Sequence, residues 1–221
     1  MEQALKTALV LGATGLVGGK LVEQLLHDDR YAMVRVFGRR KLDREHPRLE
    51  EFIGDLLQFE SFAHDFVGDE VFCCIGTTKA KTPDQNSYYK IDYGIPVAAA
   101  RLAQKKRINT FLVVSALGAD PKSPIFYNRV KGEMEASVLA LDIPKTHIVQ
   151  PSLIGGNRQE KRAGESLFKG LLGVLNGIMI GPLQKYRMIL PDTIAAAMIW
   201  LANNEFGEKR VESEQLKELV A

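Results

Sequence analysis

Short apolar runs alternate along the chain with longer stretches whose apolar positions recur every three to four residues. The apolar runs, each predicted to form a strand, are residues 7–11, 33–37, 49–53, 71–75, 111–114 and 146–149. Helical spacing is found in residues 15–27, 85–105 and 125–139. Strands that are apolar on both faces need helices on both sides, so the alternation predicts an α/β fold with a Rossmann-type doubly wound parallel sheet.

The last third of the chain has a less regular pattern. A polar loop is predicted over residues 155–164, followed by helical segments at 166–175 and 192–203 and a short amphipathic helix at 213–219. Asp192 is the predicted N-cap of the second segment. The most apolar long stretch, residues 167–180, is interrupted by Lys169 and several glycines, so no membrane span is expected.

A glycine-rich turn follows the first predicted strand and precedes the first predicted helix. Its residues are Gly12, Ala13, Thr14, Gly15, Leu16, Val17 and Gly18. In a dinucleotide fingerprint the first glycine permits the tight turn, the second admits the pyrophosphate and the third lets the helix pack closely. Free N–H groups of the first helical turn then point at the phosphates. All seven residues are therefore predicted to bind a dinucleotide.

The end of the second strand indicates which dinucleotide is bound. An acidic residue there would accept hydrogen bonds from a ribose hydroxyl and favour NAD. Here the strand ends in Gly38, Arg39 and Arg40, and a guanidinium matches a phosphate in charge and geometry. Arg39 and Arg40 therefore predict NADP, with NAD less favoured; the alternative is a solvated basic turn.

Three further residues form a candidate catalytic group. Tyr127 and Lys131 lie four residues apart on a predicted helix, so they share a face. An ammonium beside a phenol favours the phenolate, and such a tyrosine exchanges protons near neutral pH. Ser115 ends the preceding strand, at the edge of the sheet where ligands collect, and its hydroxyl is predicted to hydrogen-bond a developing oxyanion.

This combination resembles the atypical short-chain dehydrogenases/reductases, and more narrowly the Tat-interacting protein oxidoreductases and their bacterial relatives. The motifs that carry the resemblance are Phe-Gly-Arg-Arg-Lys-Leu at 37–42, Phe-Cys-Cys-Ile-Gly-Thr-Thr at 72–78, Gly-Ala-Asp at 118–120, Tyr127 through Lys131-Gly132-Glu133, and Gln150-Pro151-Ser152 to Asn157-Arg158-Gln159-Glu160. The likeness covers about residues 7–203. It implies one NAD(P)-binding Rossmann domain over residues 1–221, with 152–221 contributing a short substrate lid and C-terminal helices.

The resemblance also assigns roles to individual residues. Tyr127 is the implied general acid/base, Ser115 orients the substrate carbonyl, and Lys131 lowers the phenol pKa and holds the nicotinamide ribose. The other implied cofactor contacts are Asp55 at the adenine, Gly76 and Thr77 at the ribose and pyrophosphate, and Pro151 over the nicotinamide. Two positions depart from the family pattern: Asp92 stands where many members have asparagine, and Gln150 where related sequences often have arginine.

Composition narrows the function classes. The 29 basic and 27 acidic residues give a net charge of +2 without a long basic stripe, so nucleic acid is not an expected partner. The four histidines lack metal-ligand spacing, and no metal is expected. Cys73 and Cys74 are adjacent in an apolar run and are predicted to be buried thiols of a reducing compartment. Residues 1–7 lack the pattern of a signal peptide, so a cytoplasmic location is expected.

The sequence thus predicts an NADP-dependent oxidoreductase that moves a hydride between nicotinamide and a small-molecule carbonyl or alcohol. An alternative is an NADP-binding regulatory or interaction protein without physiological turnover. Asp92 and the short lid are the features that favour it. A NAD-linked nucleotide-sugar epimerase or dehydratase is less favoured, because such enzymes need a larger C-terminal substrate domain. Substrate identity and oligomeric state stay open, with a protein partner or a homodimer possible.

Overall fold

A parallel β-sheet forms the centre of the molecule in the computed structural model, which describes residues 4–156 and 187–221. The strands within those ranges are β1 (Lys6–Leu11), β2 (Tyr31–Gly38), β3 (Leu49–Ile53), β4 (Glu70–Cys73), β5 (Thr110–Val114), β6 (Lys145–Gln150) and β7 (Arg210–Glu212). They pair in the order β3-β2-β1-β4-β5-β6-β7, and every pairing is parallel. The predicted Rossmann-type doubly wound sheet is confirmed.

Helices cover both faces of this sheet. They are α1 (Leu16–His27), a 3₁₀ helix (Leu56–Phe62), α2 (Gln85–Tyr89), a π-helical turn (Lys90–Gly94), α3 (Ile95–Lys105), α4 (Phe126–Leu139), α5 (Pro191–Asn203) and α6 (Ser213–Glu218). Along β1 the side chains alternate between two apolar cores. Ala8 and Val10 join the core under α1 and α5, whereas Leu9 and Leu11 join the core under α3 and α4.

The strand order reverses beside β1. The chain runs outward from β1 through β2 to β3 and then returns to place β4 on the other side of β1. In open α/β sheets the crevice beyond the carboxyl ends of the strands, at such a switch point, is where ligands bind. The loops that follow β1 and β4 are therefore the place to search for a site.

The six predicted strands are confirmed to within two residues at each end, whereas three features of the prediction need correction. The three-residue strand β7 was not predicted, because it is too short to show a period. The long helix predicted over residues 85–105 is interrupted by the π-helical turn. Asp192 is not an N-cap: Leu190 takes that position because Pro191, with its fixed φ, occupies the first helical position, and Asp192 forms an ion pair with Lys20 at 3.2 Å.

Other predictions fall outside the described ranges. They are the predicted loop beyond Gly156, the helical segment at 166–175, the apolar stretch at 167–180, the first three residues, and the last part of the family motif, Asn157 to Glu160.

Candidate active site

A cleft of about 1110 Å³ opens at the carboxyl ends of β1, β4 and β5. It brings together sequence motifs that lie far apart in the chain. The predicted residues that line it are Thr14, Gly15, Leu16, Val17, Gly76, Thr77, Ser115, Tyr127 and Lys131. The glycine turn and the candidate catalytic group therefore face one common space, at the switch point of the sheet.

Close backbone contacts make the first and third glycines of the turn necessary. Gly12 has φ of +82°, and a Cβ there would lie 2.5 Å from the Cys74 carbonyl oxygen. A Cβ on Gly18 would lie 2.2 Å from the Gly12 carbonyl oxygen. Any side chain at either position would force the backbone apart, so the turn is held tight between β1, β4 and α1.

The amino end of α1 faces the cleft. Gly15 is its N-cap, and among the residues that the structure describes no side chain caps this first turn. The first N–H groups of a helix lack intrahelical partners and carry the positive end of the helix dipole. Together with the glycine cradle they fit the pyrophosphate of a dinucleotide.

Arg39 and Arg40 are exposed and follow directly after β2, outside the cleft lining. Because Phe37 pairs with Leu11, the end of β2 is adjacent to the start of the glycine turn. Asp55 is also exposed and caps the 3₁₀ helix, with its Oδ1 accepting from the Leu57 N–H at 3.0 Å. The predicted contacts of these three residues with the adenosine end of a cofactor stay predictions.

Pro151 is a further predicted cofactor residue that does not line the cleft, as is also true of Gly12, Ala13 and Gly18. It is buried after β6, and its carbonyl oxygen accepts a hydrogen bond from the Leu117 N–H at 3.0 Å. Ile154, three residues further on, does reach the cleft. Pro151 therefore shapes the loop that carries Ile154, and its predicted contact with nicotinamide is untested.

Lys131 is buried beside a carboxylate. Its Nζ lies 3.0 Å from Asp92 Oδ1, and Asp92 Oδ2 accepts a hydrogen bond from the Thr77 N–H at 2.8 Å. Burial alone would lower the Lys131 pKa, but the nearby Asp92 and Tyr127 outweigh it, so the pKa lies above its ordinary value. Lys131 is thus a fixed cation at neutral pH, and Asp92, which the family pattern singled out as a departure, is its counter-ion.

Tyr127 extends into the cleft from the first turn of α4, one helical turn before Lys131, and its side chain is 40% exposed. Three mainly apolar neighbours share that wall: Tyr88, Ile125 and Phe126, with the rings of Tyr88 and Phe126 5.6 Å apart. Ile125 is 59% exposed although it is apolar. The phenol of Tyr127 is therefore flanked by an apolar wall of the cleft.

Ser115 lies just after β5 and donates its hydroxyl proton to Glu135, with Oγ 2.5 Å from Oε1. Glu135 is buried on α4, and the sequence analysis did not single it out as a partner of Ser115. The signal was present, because Tyr127, Lys131 and Glu135 recur every four residues and so lie on one face of a helix. Charged residues at helical spacing usually lie on a solvated surface, so the pattern did not indicate a buried carboxylate.

Neither cysteine is in a disulfide. Burial raises the pKa of the Cys73 thiol to about 11 and also raises that of Cys74, so both stay protonated at neutral pH. Cys74 is only partly buried and lines the cleft, which the prediction of two core thiols did not foresee.

Within residues 4–156 and 187–221, no group of three His, Cys, Asp or Glu side chains is arranged to hold a metal ion. No helix in these ranges has the length and apolar character needed to cross a membrane.

Known structures share this fold. ADP-L-glycero-D-manno-heptose-6-epimerase from Helicobacter pylori superposes with a TM-score of 0.71 at 16% identity, covering 100% of this chain and 82% of that one. The Bordetella bronchiseptica enzyme WbmG, solved in complex with NAD, superposes with a TM-score of 0.70 at 15% identity, covering 98% and 76%. At these identities the likeness establishes the fold alone.

Sequence comparison is more specific. A family model described as NAD(P)H-binding matches residues 12–149. Protein HTATIP2 from Rattus norvegicus is 33% identical over 174 residues, which are 77% of this chain and 72% of the relative. Protein FMP52-1, mitochondrial, from Scheffersomyces stipitis is 31% identical over 208 residues, 91% of this chain and 83% of the relative. The chain therefore belongs to the NAD(P)H-binding family and, as its motifs predicted, to the atypical short-chain dehydrogenases/reductases that include HTATIP2 and FMP52.

Proposed function

We propose that this protein is an NADP-dependent oxidoreductase that interconverts a carbonyl and an alcohol on a small organic substrate. The observation that carries the proposal is the meeting of the open helix end at Gly15, the phenol of Tyr127 and the ammonium of Lys131 in one cleft. Each is common alone, whereas together they supply phosphate binding, a proton donor and a nearby cation.

The cofactor has a defined place in this proposal. The turn from Gly12 to Gly18 would hold the pyrophosphate, Arg39 and Arg40 the 2′-phosphate, and Gly76 and Thr77 the inner ribose. When bound, the nicotinamide exchanges a hydride with the substrate carbon. The direction of β1 and the exposed end of α1 would orient the phosphates, and the buried Lys131 would donate a hydrogen bond to a ribose.

Proton transfer belongs to Tyr127. Its side chain lines the cleft beside the apolar wall of Ile125 and Phe126. The positive charge of Lys131, one turn along α4, stabilises the phenolate that forms when the proton leaves. Ser115 contacts the same substrate oxygen from the end of β5. We propose that the substrate is a ketone, aldehyde or quinone, or the matching alcohol.

Tyr127→Phe tests the proposal. NADPH affinity, measured by calorimetry, should stay within about threefold, whereas turnover of a panel of aldehydes, aromatic ketones and quinones should fall about 10²- to 10⁴-fold. Tyr89→Phe, on an exposed tyrosine of α2, is the matched control and should change neither. Activity that survives in the Tyr127 variant would contradict the proton-transfer role. Absence of binding heat with NADP⁺, NADPH, NAD⁺ and NADH would contradict the whole proposal.

The second candidate is an NADP-binding regulatory protein without physiological turnover. The observation in its favour is the 3.0 Å ion pair between Lys131 and Asp92, since a counter-ion weakens the effect of the ammonium on a neighbouring phenol. The same panel separates the two candidates. Tyr127-dependent oxidation of NADPH supports the enzyme, and tight NADPH binding with no oxidation of it supports the regulator.

The chain's organisation and location complete the proposal. We propose one domain over residues 1–221, supported by the pairing of β7 with β6 and the packing of α5 on α1. We propose a cytoplasmic location, with which the free thiols of Cys73 and Cys74 are compatible, whereas the FMP52 relatives are named as mitochondrial. Fractionation of cells that express the tagged chain decides between the compartments.

A further inference from the structure

The first turn of α4 carries Tyr127 but begins without the usual cap. Its N-cap is Ile125, whose side chain has no atom that accepts a hydrogen bond, and the turn contains no acidic residue. Ser, Thr, Asp or Asn is preferred at that position, because the first N–H groups of a helix have no intrahelical partner. Tyr127 is the second residue of the helix and is 40% exposed. Neither a capping side chain nor full burial therefore fixes the position of the phenol.

Arg129 connects this turn to the loop that precedes it. Its Nη1 donates to the Ser123 carbonyl oxygen at 2.9 Å and to the Pro124 carbonyl oxygen at 3.4 Å. Its backbone N–H donates to the Ile125 carbonyl oxygen at 2.9 Å and so closes the first helical turn. A single residue thus joins the helix to each of the three residues before it.

The charge of Arg129 does not by itself explain why an arginine occupies this position. A cation near the amino end of a helix is unfavourable, because that end carries the positive end of the helix dipole. The hydrogen bonds to carbonyl oxygens act in the opposite direction, since a charged donor makes stronger bonds than a neutral one. The guanidinium is also planar and rigid, so it loses little freedom when it binds. These bonds to the preceding loop are therefore the feature that favours arginine here.

The ring of Phe126, directly before Tyr127, contacts two further side chains. The Arg129 guanidinium carbon lies 5.7 Å from the ring centre, within the range of a cation–π contact. The ring of Tyr88 lies 5.6 Å away at an interplanar angle of 67°. Tyr88 is itself anchored, because its hydroxyl donates to the Thr77 carbonyl oxygen at 3.3 Å. Loss of the guanidinium would remove one of the two ring contacts together with both carbonyl bonds.

We propose that Arg129 is a positioning residue that holds the first turn of α4 closed and thereby keeps the Tyr127 hydroxyl at the reacting oxygen of the substrate. The inference rests on the proposed function, because it assumes that Tyr127 transfers the proton. A displacement of about 1 Å at a reacting group can lower turnover about 10²-fold. Arg129 is only partly buried, so its contacts are weakened by solvent. We therefore expect a smaller loss, about 5- to 30-fold in kcat.

Arg129→Met keeps most of the aliphatic stem and removes every donor. The probe is the member of the aldehyde, ketone and quinone panel that the wild type reduces fastest with NADPH. For this probe kcat should fall about 5- to 30-fold, while KM and NADPH affinity stay within about threefold. Arg129→Lys keeps the charge and one possible donor to the loop, so it should recover much of the loss. Arg101→Met, on an exposed arginine of α3, is the matched control and should change none of these values.

The double variant Arg129→Met/Tyr127→Phe shows whether the arginine acts through the tyrosine. If it does, the Arg129 substitution has no further effect once the phenol hydroxyl is absent, so the double variant and Tyr127→Phe should turn over within about twofold of each other. An equal loss in both backgrounds would indicate a general disturbance and overturn the inference.

Hydrogen exchange gives a readout that does not depend on turnover. Amides of residues 125–131 should exchange faster in Arg129→Met than in the wild type, because the first turn opens more often, and should be unchanged in Arg101→Met. Unchanged exchange in Arg129→Met would overturn the inference, since the turn would then be held by other contacts.

The failure of the inference and the failure of the proposed function are distinguishable. Wild-type kcat in Arg129→Met, with turnover that still depends on Tyr127, overturns the inference and leaves the proposed function standing. Activity that survives in Tyr127→Phe, or absence of coenzyme binding to the wild type, removes the proposed function and the inference with it. If Arg129→Met does not fold, Arg129→Lys takes its place in the double-variant comparison, with an expected loss of about two- to fivefold.

Discussion

At the scale of single residues, the candidate site and its surroundings contain buried charged side chains, each of which lies beside a group of opposite charge. Lys131 and Glu135 are both inaccessible to solvent, and each has a counter-ion: Asp92 for the lysine and Arg210 for the glutamate. Such pairs contribute little net stability, but replacing one member with an uncharged residue leaves the other as an uncompensated buried charge. Each pair therefore fixes the position of its buried charged group.

Asp92→Asn tests how burial and the Asp92 charge together determine the pKa of Lys131. With Asp92 present the Lys131 pKa is raised, so its ion pair stabilises the fold below the ordinary lysine value of 10.5 and is lost as pH rises through the folded-state pKa. Without the carboxylate, burial dominates and lowers this pKa. The variant should lose about 3–5 kcal/mol of unfolding free energy near neutral pH, and the deficit should narrow as pH approaches the ordinary lysine value.

Urea unfolding across this pH range measures that deficit. Asp92→Asn combined with Lys131→Met removes both charges and should recover much of the lost stability. A deficit for Asp92→Asn that does not change with pH would mean that Lys131 keeps its proton by other means.

Arg39 and Arg40 give the second prediction at this scale. If they bind the 2′-phosphate, replacing both with alanine should weaken NADPH binding about 10- to 100-fold and leave NADH binding within about threefold, since each charge-assisted hydrogen bond contributes about 1.5–3 kcal/mol. Lys105→Ala removes an exposed charge from the end of α3 and serves as the control. Calorimetry with both coenzymes provides the measurement, and equal weakening of the two would refute a role in discrimination.

At the scale of elements, the contact between β1 and α1 depends on one of two adjacent glycines. A Cβ on Gly18 would lie 2.2 Å from the Gly12 carbonyl oxygen, whereas a Cβ on Gly19 would lie 3.4 Å from the Ala13 carbonyl oxygen, an ordinary contact. Both are inside α1 and identical in chemistry. Their neighbours alone distinguish them.

Gly18→Ala should destabilise the protein by about 1–3 kcal/mol or more and abolish NADPH binding, because the backbone of the turn must move. Gly19→Ala, its matched control, should be neutral or stabilising by up to about 1 kcal/mol, since alanine favours the helix. Thermal unfolding and coenzyme titration of both variants measure this. Similar behaviour of the two would show that the turn is looser than its distances indicate.

Elements also show how far the sequence could be interpreted. Strands such as β1 and β5 were predictable because burial on both faces leaves only apolar residues. The pairing of Glu135 with Arg210 was not predictable from the sequence. It joins residues 75 positions apart, and Arg210 belongs to β7, a strand of only three residues. The sequence likewise placed Tyr127 and Lys131 on one face, whereas their relation to Asp92 depends on the π-helical turn, for which no residue pattern is diagnostic.

At the scale of the whole molecule, the carboxyl and amino ends of the strands carry different kinds of polar groups. The cleft lies at the carboxyl ends of the strands. At the amino ends a buried network joins three strands to α5: Glu70 accepts from Lys6 Nζ and the Tyr31 hydroxyl, both at 2.6 Å, and Asn203 donates to Tyr31 at 2.7 Å. Burial raises the Tyr31 pKa, which keeps its hydroxyl a donor. Structural polar contacts and the proposed chemistry are therefore separated across the sheet.

The π-helical turn at Lys90–Gly94 has a consequence for sequence change. Such a turn contains one residue more than an α-helical turn of the same rise, so α2 and α3 could be joined without it by a chain one residue shorter. A single-codon deletion there would leave both flanking helices in phase with their cores and remove Asp92 from its place opposite Lys131. The gene can thus lose the counter-ion of the buried ammonium in one step, with a loss of stability like that expected for Asp92→Asn.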